Sequence, residues 1–402
     1  VFSRAPLKHF GSSNFWRNAG LAAAFAVPFL VYLATLAPSL NFEDSAEFAL
    51  GAATLGVDHP SGYPLETLVA HTFTAVPVGA LARRMNLSSA FFAALASLFV
   101  FALVWEWLAT TGPPSRLAAA AAWAAAGLFA FSRSFWPQAV ITEVYALNAA
   151  LVAGALYSGL RYYRLRDGRW FYLSVFLAAL AAANHPTSLA LTAPFAAYLW
   201  WRRRGRRPAW PPALALALFG VSVYLYLALR ASRGPTLNWG QPATAAIFLD
   251  HIRRREFGTI YWPRYRYFAL HLAELGKLLF VQFGAGVGLL AAPAAAYLLW
   301  RRARPSGALA AVLVIAGPLT LLPLVGLLTP IQIFEIDVWY IPFFLLAAAF
   351  IGAAAATFFR KVSSRRWRAG AAAALALLPL YPLAANFARA DLRDVAFAAE
   401  HG

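Results

Sequence analysis

The stretch Leu65–Ala82, LETLVAHTFTAVPVGALA, decides the topology of this chain, because every later loop changes sides if it crosses a bilayer. It carries Glu66 and His71 in its first half and Pro77 and Gly79 in its second. A carboxylate is costly in hydrocarbon and a Pro–Gly interruption breaks a helix, so the stretch reads as a helix lying in the interface plane. Around it, apolar runs of spanning length fall at 19–40, 89–110, 117–132, 145–163, 170–184, 187–201, 210–230, 279–300, 307–328, 338–359 and 368–387. The first lacks a small-residue cleavage site and is read as a retained helix rather than a signal peptide. The expected fold class is an all-α integral membrane protein of about 11 transmembrane helices, with interfacial helices in the first outer loop. The transmembrane domain covers 1–387, with a first outer loop at 41–88 and a long outer loop at 231–278; 388–402 form a short outer-side tail.

The charges agree with this reading. If the N-terminus is cytoplasmic, alternate loops hold Arg116, RYYRLRDGR (161–169), RRRGRR (202–207), RRAR (301–304) and RKVSSRRWR (360–368). The opposite loops hold Glu43, Asp44, Glu47, Asp58, Glu66, Glu143, Asp250, Glu256, Glu335 and Asp337. One face is basic and cytoplasmic, the other acidic and outer, as the positive-inside rule requires. Hydrophobic residues make up 61% of the chain and charged ones 12%. The 34 Lys and Arg against 16 Asp and Glu therefore report topology, and nucleic acid is not an expected partner. With no cysteine, disulfides, thiolate catalysis and thiolate metal sites are excluded. Phosphate-cradling glycine loops, nucleophile elbows and helical histidine pairs are absent, which removes ATPase, hydrolase and zinc-protease readings.

The chemistry gathers on the outer side. In NFEDSAEFALGAATLGVDHPSGYPLETL (41–68), Glu43, Asp44 and Glu47 lie within five residues of one another, directly after a span. Carboxylates this close to hydrocarbon face protein or a wet cavity. In a helix Asp44 and Glu47 share a face, where one can act as base and the other orient a partner or a divalent cation; the plainer reading is a solvated acidic loop. DHPSGYPL adds His59 and Tyr63 on a backbone stiffened by prolines, as a ligand contact or as a structural turn. Glu143, Tyr145 and Asn148 enter one span, and Asn184, His185 and Thr187 lie between two others. For an anionic substrate the outer cations are Arg83, Arg84, Arg230, Arg233 and Arg253–Arg255; Arg230, ending a span before GPTLNWG, is the expected phosphate ligand. Asn238 and His251 complete the expected site, and an interfacial helix is expected over Ala243–Glu256.

Taken in order, EDSAEF (43–48), HPSGYPL (59–65), RRMNLSSAFFA (83–93), TEVYALN (142–148), NHPTSL (184–189) and LNWGQP (237–242) resemble the GT-C superfamily of polyprenyl-phosphate-sugar-dependent glycosyltransferases. Within it the chain resembles the protein O-mannosyltransferase-like group long catalogued as a domain of unknown function, from about Leu36 to Asp337. The resemblance implies a membrane enzyme that takes a hexose, such as mannose, from a lipid-phosphate donor at the outer leaflet. It passes the sugar with inversion to a hydroxyl acceptor, a protein Ser/Thr or a lipid. It implies Asp44 as general base, Glu47 beside it and Glu143 as a second outer carboxylate. Glu43 replaces an expected glycine and Glu66 an expected aromatic, so donor specificity is expected to differ. The chain ends about fifteen residues after its last span, where many relatives continue into an outer domain; acceptor recognition is then reduced, missing or supplied by a partner.

The rival readings are a transporter or flippase of a lipid-linked sugar and a non-catalytic scaffold. Transport calls for charges near the midplane and commonly for internal repeats; here the charges sit at span ends and no repeat is visible. The arginine bias and alanine content point to a bacterial inner membrane with a periplasmic active face. An endoplasmic-reticulum membrane with a lumenal active face has the same topology.

Overall fold

A computed structural model describes residues 8–41, 44–113, 115–202, 208–257, 268–300 and 337–395. Glu43, Glu335, the basic runs 203–207 and 301–304 and the expected span 307–328 lie outside the described residues. Every regular element among the described residues is a helix, and ten of the eleven expected apolar runs fall on helices, those at 210–230, 279–300 and 368–387 each on more than one. Five helical stretches, Asn14–Ala34, Leu81–Thr111, Trp210–Ala231, Asp337–Phe359 and Arg365–Ala390, are long and apolar enough to cross a membrane. A sixth is formed if Leu272–Gln282 and Val287–Trp300 are taken as one broken span.

That last pair corrects the straight span expected over 279–300: its halves meet at 111°. Gly284 and Gly286 sit at the break with φ of 86° and 82°, a left-handed conformation that side-chain-bearing residues avoid. The glycines of GAGVG (284–288) are the sequence signal of this turn, which a reading by apolar length alone passes over. The segment 65–82 holds one short helix and a 3-10 turn before the next helix starts at Leu81. Helix α3 (Pro64–Thr72) has nine residues, a rise of about 14 Å and less than half the hydrocarbon thickness.

The centre of the bundle is α5 (Arg116–Ala130), whose alanines are nearly all buried. Small side chains let neighbouring helices approach closely, which is how helices gain packing energy in lipid. At Gly352 of α15 (Ile341–Phe359) an added Cβ would come within 2.6 Å of the Ala121 carbonyl oxygen. α4 (Leu81–Thr111) lies against α1 (Lys8–Ala34), α5 and α7 (Val144–Leu165). At its far end the buried Glu106 pairs with Arg164 and, at 3.9 Å, with Arg161, both on α7. A carboxylate in this position needs such partners.

Polar staples fix the ends of α1, α4 and α7 that lie beside one another. The buried Asn86 amide donates to the carbonyls of Ala37 (2.9 Å) and Ser39 (3.1 Å), and its oxygen accepts from Thr142 Oγ1 (2.7 Å). One side chain thus joins the exit of α1 to the turn before α7. Glu143 N–H donates to Ser89 Oγ at 3.3 Å, which sets the start of α7 against α4.

Candidate functional site

The site is built on the segment between the first helix and α3. Helix α2 (Ser45–Thr54) begins at Asp44, which occupies the N-cap without a side-chain cap bond. Its carboxylate is therefore not spent on the helix. At 59% exposure it is open to a substrate, whereas the Glu47 side chain is 17% exposed. The chain leaves α2 through Leu55 in a left-handed conformation and returns beneath the helix, with Asp58 packed directly against Gly51. His59 then meets α2 again. Its backbone N–H donates to Glu47 Oε1 at 2.6 Å and its Nδ1 to the same oxygen at 3.1 Å. A carboxylate oxygen can only accept, so the Nδ1 proton is fixed there and Nε2 faces Asp44 Oδ2 at 3.8 Å.

A row of rings extends from this point. His59 and Tyr63 have centroids 5.0 Å apart, Tyr63 stacks on His185 at 6.1 Å, and His185 meets Tyr145 at 5.6 Å and Trp339 at 5.9 Å. Phe48 and Trp239 flank the near end, 5.5 and 6.1 Å from His59. At the far end Arg254 lies over the Trp339 ring at 5.8 Å. Burial raises the Tyr63 phenol, against the opposing charge of Arg254 and with those of Asp44 and Glu143 adding to the rise. Carboxylates and a guanidinium thus act on one ring. Burial, with Arg254 and His59, lowers the His185 imidazole to about 3, which keeps it neutral. Its Nδ1 pairs with Thr187 Oγ1 at 2.6 Å. Asn184 donates to the Val144 carbonyl at 2.9 Å, and Asn148 is buried on the same helix.

The expected residues divide into two groups. Asp44, Glu47, His59, Tyr63, Tyr145 and His185 come together through the contacts above, and the buried Glu143 is close enough for its charge to reach Tyr63. Arg230 and His251 instead hold backbone: Arg230 donates to the carbonyls of Leu55 (2.7 Å) and Thr54 (3.1 Å), and His251 Nε2 to that of Asp58 (3.2 Å). Asn238 forms a parallel bridge with Val57 and lines an open depression with Gly240, Gln241, Thr244 and Ile247. The expected helix at 243–256 is α12 (Ala245–Ile252), followed by a 3-10 turn at Arg255–Phe257. Phe48, Trp239 and Trp339 were not expected in the site. Trp239 had a signal in its place within LNWGQP, whereas Trp339 had none.

Two further carboxyls are buried in the loop. Asp58 accepts from Thr67 Oγ1 at 2.7 Å and is raised well above the usual range by burial. Burial, then the charge of Asp58, lifts Glu66 from 4.5 to about 8. A raised carboxyl leaves stability intact below its unfolded value and removes it as pH climbs to the folded value, at about 1.4 kcal/mol per unit. Glu66→Gln is expected to match wild type in thermal melts at pH 4.5 and to exceed it progressively up to pH 8. A gap that is constant across that range would show that Glu66 is already ionised.

Asp44, Glu47 and His59 each offer a ligand atom, and these atoms lie within 4.8 Å of one another. That spacing suits a divalent cation with ligand distances of about 2.0–2.5 Å.

The sequence comparisons bear on the same region. Residues 44–208 match the family model for the Protein O-mannosyl-transferase TMEM260 N-terminal domain. The match starts at Asp44 and runs past His185, so it contains both carboxylate positions and the row of rings up to His185. The chain is 31% identical over 276 residues to Protein O-mannosyl-transferase TMEM260 of Mus musculus, covering 65% of this chain and 37% of that protein. It is 28% identical over 260 residues to Protein O-mannosyl-transferase tmem260 of Dictyostelium discoideum, covering 58% and 30%. The chain thus spans about a third of the length of these TMEM260-type relatives.

Proposed function

We propose that the chain is a membrane glycosyltransferase that moves a hexose, mannose foremost, from a polyprenyl-phosphate carrier to a protein Ser/Thr hydroxyl on the outer or lumenal face. The observation that carries this reading is the exposed Asp44 carboxylate, set beside Glu47 and His59 at the mouth of an aromatic row that ends at Arg254. Similarity to proteins named Protein O-mannosyl-transferase supports it. In the proposed step the acceptor O–H proton passes to Asp44 as the acceptor oxygen bonds to the anomeric carbon. The bond from that carbon to the phosphate oxygen breaks and its electron pair leaves with the lipid phosphate. A carboxylate makes a poor nucleophile effective, and a nearby cation stabilises the charge that develops on the leaving group. Arg254 takes that second role in place of Arg230, which is bonded to the carbonyls of Thr54 and Leu55. Glu47 holds His59, and the donor's apolar tail remains among the spans, proposed to number eleven.

The relatives are eukaryotic, which supports a lumenal active face; a periplasmic face has the same topology. The test is transfer of labelled hexose from a polyprenyl-phosphate hexose to Ser/Thr peptides by the protein in nanodiscs, with the product anomer determined. Transfer with inversion supports the reading; retention, or transfer to lipid alone, overturns it in part. Base and cation are both supplied by side chains, so EDTA is expected to change the rate by less than about twofold. A loss restored by Mg2+ or Mn2+ would place a cation at Asp44, Glu47 and His59.

A further inference from the structure

The five carbonyls from Thr54 to Asp58 are all held by one distant segment. Thr54 and Leu55 accept from Arg230, Gly56 from the Tyr226 hydroxyl (3.0 Å), Val57 from the Trp239 N–H (3.0 Å) and Asp58 from His251 Nε2. The Val57 N–H is returned to the Leu237 carbonyl at 2.8 Å. These donors lie on α11 (Leu225–Ala231), on α12 and on the strand-like stretch between them. Each carbonyl left without a partner here would carry a desolvation cost, so the set is not incidental. Thr54 is also the last residue of α2, where a guanidinium complements the helix dipole.

We propose that Tyr226, Arg230 and His251 form a clasp that positions the catalytic loop, and that they act through His59 rather than on substrate. The inference rests on the transferase reading for its kinetic consequence only. Helix α2 is a rigid rod of ten residues with Asp44 at one end and the clasped residues at the other. The chain from Leu55 to Asp58 closes the loop by delivering His59 to Glu47. With both the rod's end and the return strand fixed to the same segment, His59 can sit only beside Asp44 and Glu47. Burial lowers the His251 imidazole, which keeps it neutral with its single proton directed at Asp58. Arg230 serves by its fork: two nitrogens reach two successive carbonyls, a geometry that lysine cannot reproduce.

The test compares Arg230→Lys, Tyr226→Phe, His251→Phe and His251→Gln in nanodiscs by hydrogen exchange over residues 55–60 and by transfer kinetics. In the first three, exchange at Val57 and His59 is expected to rise about tenfold, with kcat falling by a similar factor and donor KM unchanged. His251→Gln keeps an N–H donor and is expected to restore both readouts. Unaltered exchange in all three variants overturns the clasp. So does a raised donor KM with unaltered exchange, which would make Arg230 or His251 a donor ligand. If wild type transfers no sugar, the transferase reading fails while the exchange result still decides the clasp.

Discussion

Asp44→Asn is expected to lower kcat for hexosyl transfer by about two to four orders of magnitude, with donor affinity unchanged. The substitution keeps the shape at the N-cap of α2 and removes only the capacity to take a proton. Glu47 cannot replace it: Oε1 already accepts two N–H groups from His59, and the side chain is far less exposed than that of Asp44. His59 is the one neighbour that could take over in part, because a proton on Nδ1 directed at Glu47 leaves Nε2 unprotonated, 3.8 Å from Asp44 Oδ2. Single-turnover transfer at saturating donor measures the chemical step. A loss of less than tenfold would move the base elsewhere, with His59 Nε2 next in line.

Arg254→Ala is expected to lower kcat/KM by about 10²–10³, the scale on which one donor to a developing anion contributes. Its guanidinium rests on Trp339, and its backbone is held at φ 57°, a conformation that costs a non-glycine residue about 1 kcal/mol or more. Such placement persists only where the surroundings enforce it. Arg254→Lys is expected to recover part of the loss, because charge is kept and planar stacking is not. The neighbouring Arg255 is paired with Asp250 at 3.2 Å, so Arg255→Ala serves as the control and is expected to change the rate by less than threefold. Equal losses in the two variants would reduce the effect to the general electrostatics of the loop.

The contrast between Arg230 and Arg254 shows where sequence reading reaches its limit. Both are arginines beside aromatic, glycine-containing stretches, expected on the same face, and nothing local separates them. What separates them is tertiary: Arg230 meets carbonyls 175 and 176 positions earlier in the chain. Local patterns served well where the physics is local. Apolar runs bounded by charged or Pro/Gly loops are a local signal, and ten of the expected runs fall on helices for that reason. The proximity of Asp44 and Glu47 was readable because i,i+3 residues share a helix face. The approach of His59 to both was suggested by the stiff DHPSGYPL stretch, but its bonds depend on the chain folding back beneath α2. The bend at Gly284 and Gly286 had a signal in the GAGVG cluster, but hydropathy averaged over a run is the same whether the run is straight or broken.

The most direct test of the transferase claim uses sealed proteoliposomes with labelled polyprenyl-phosphate hexose in one leaflet and Ser/Thr peptide on the side of the acidic loops. The account predicts glycosylated peptide on that side alone, abolished by Asp44→Asn, with no movement of the lipid-linked sugar between leaflets. Movement of the sugar across the bilayer without peptide product would contradict it and make the chain a transporter.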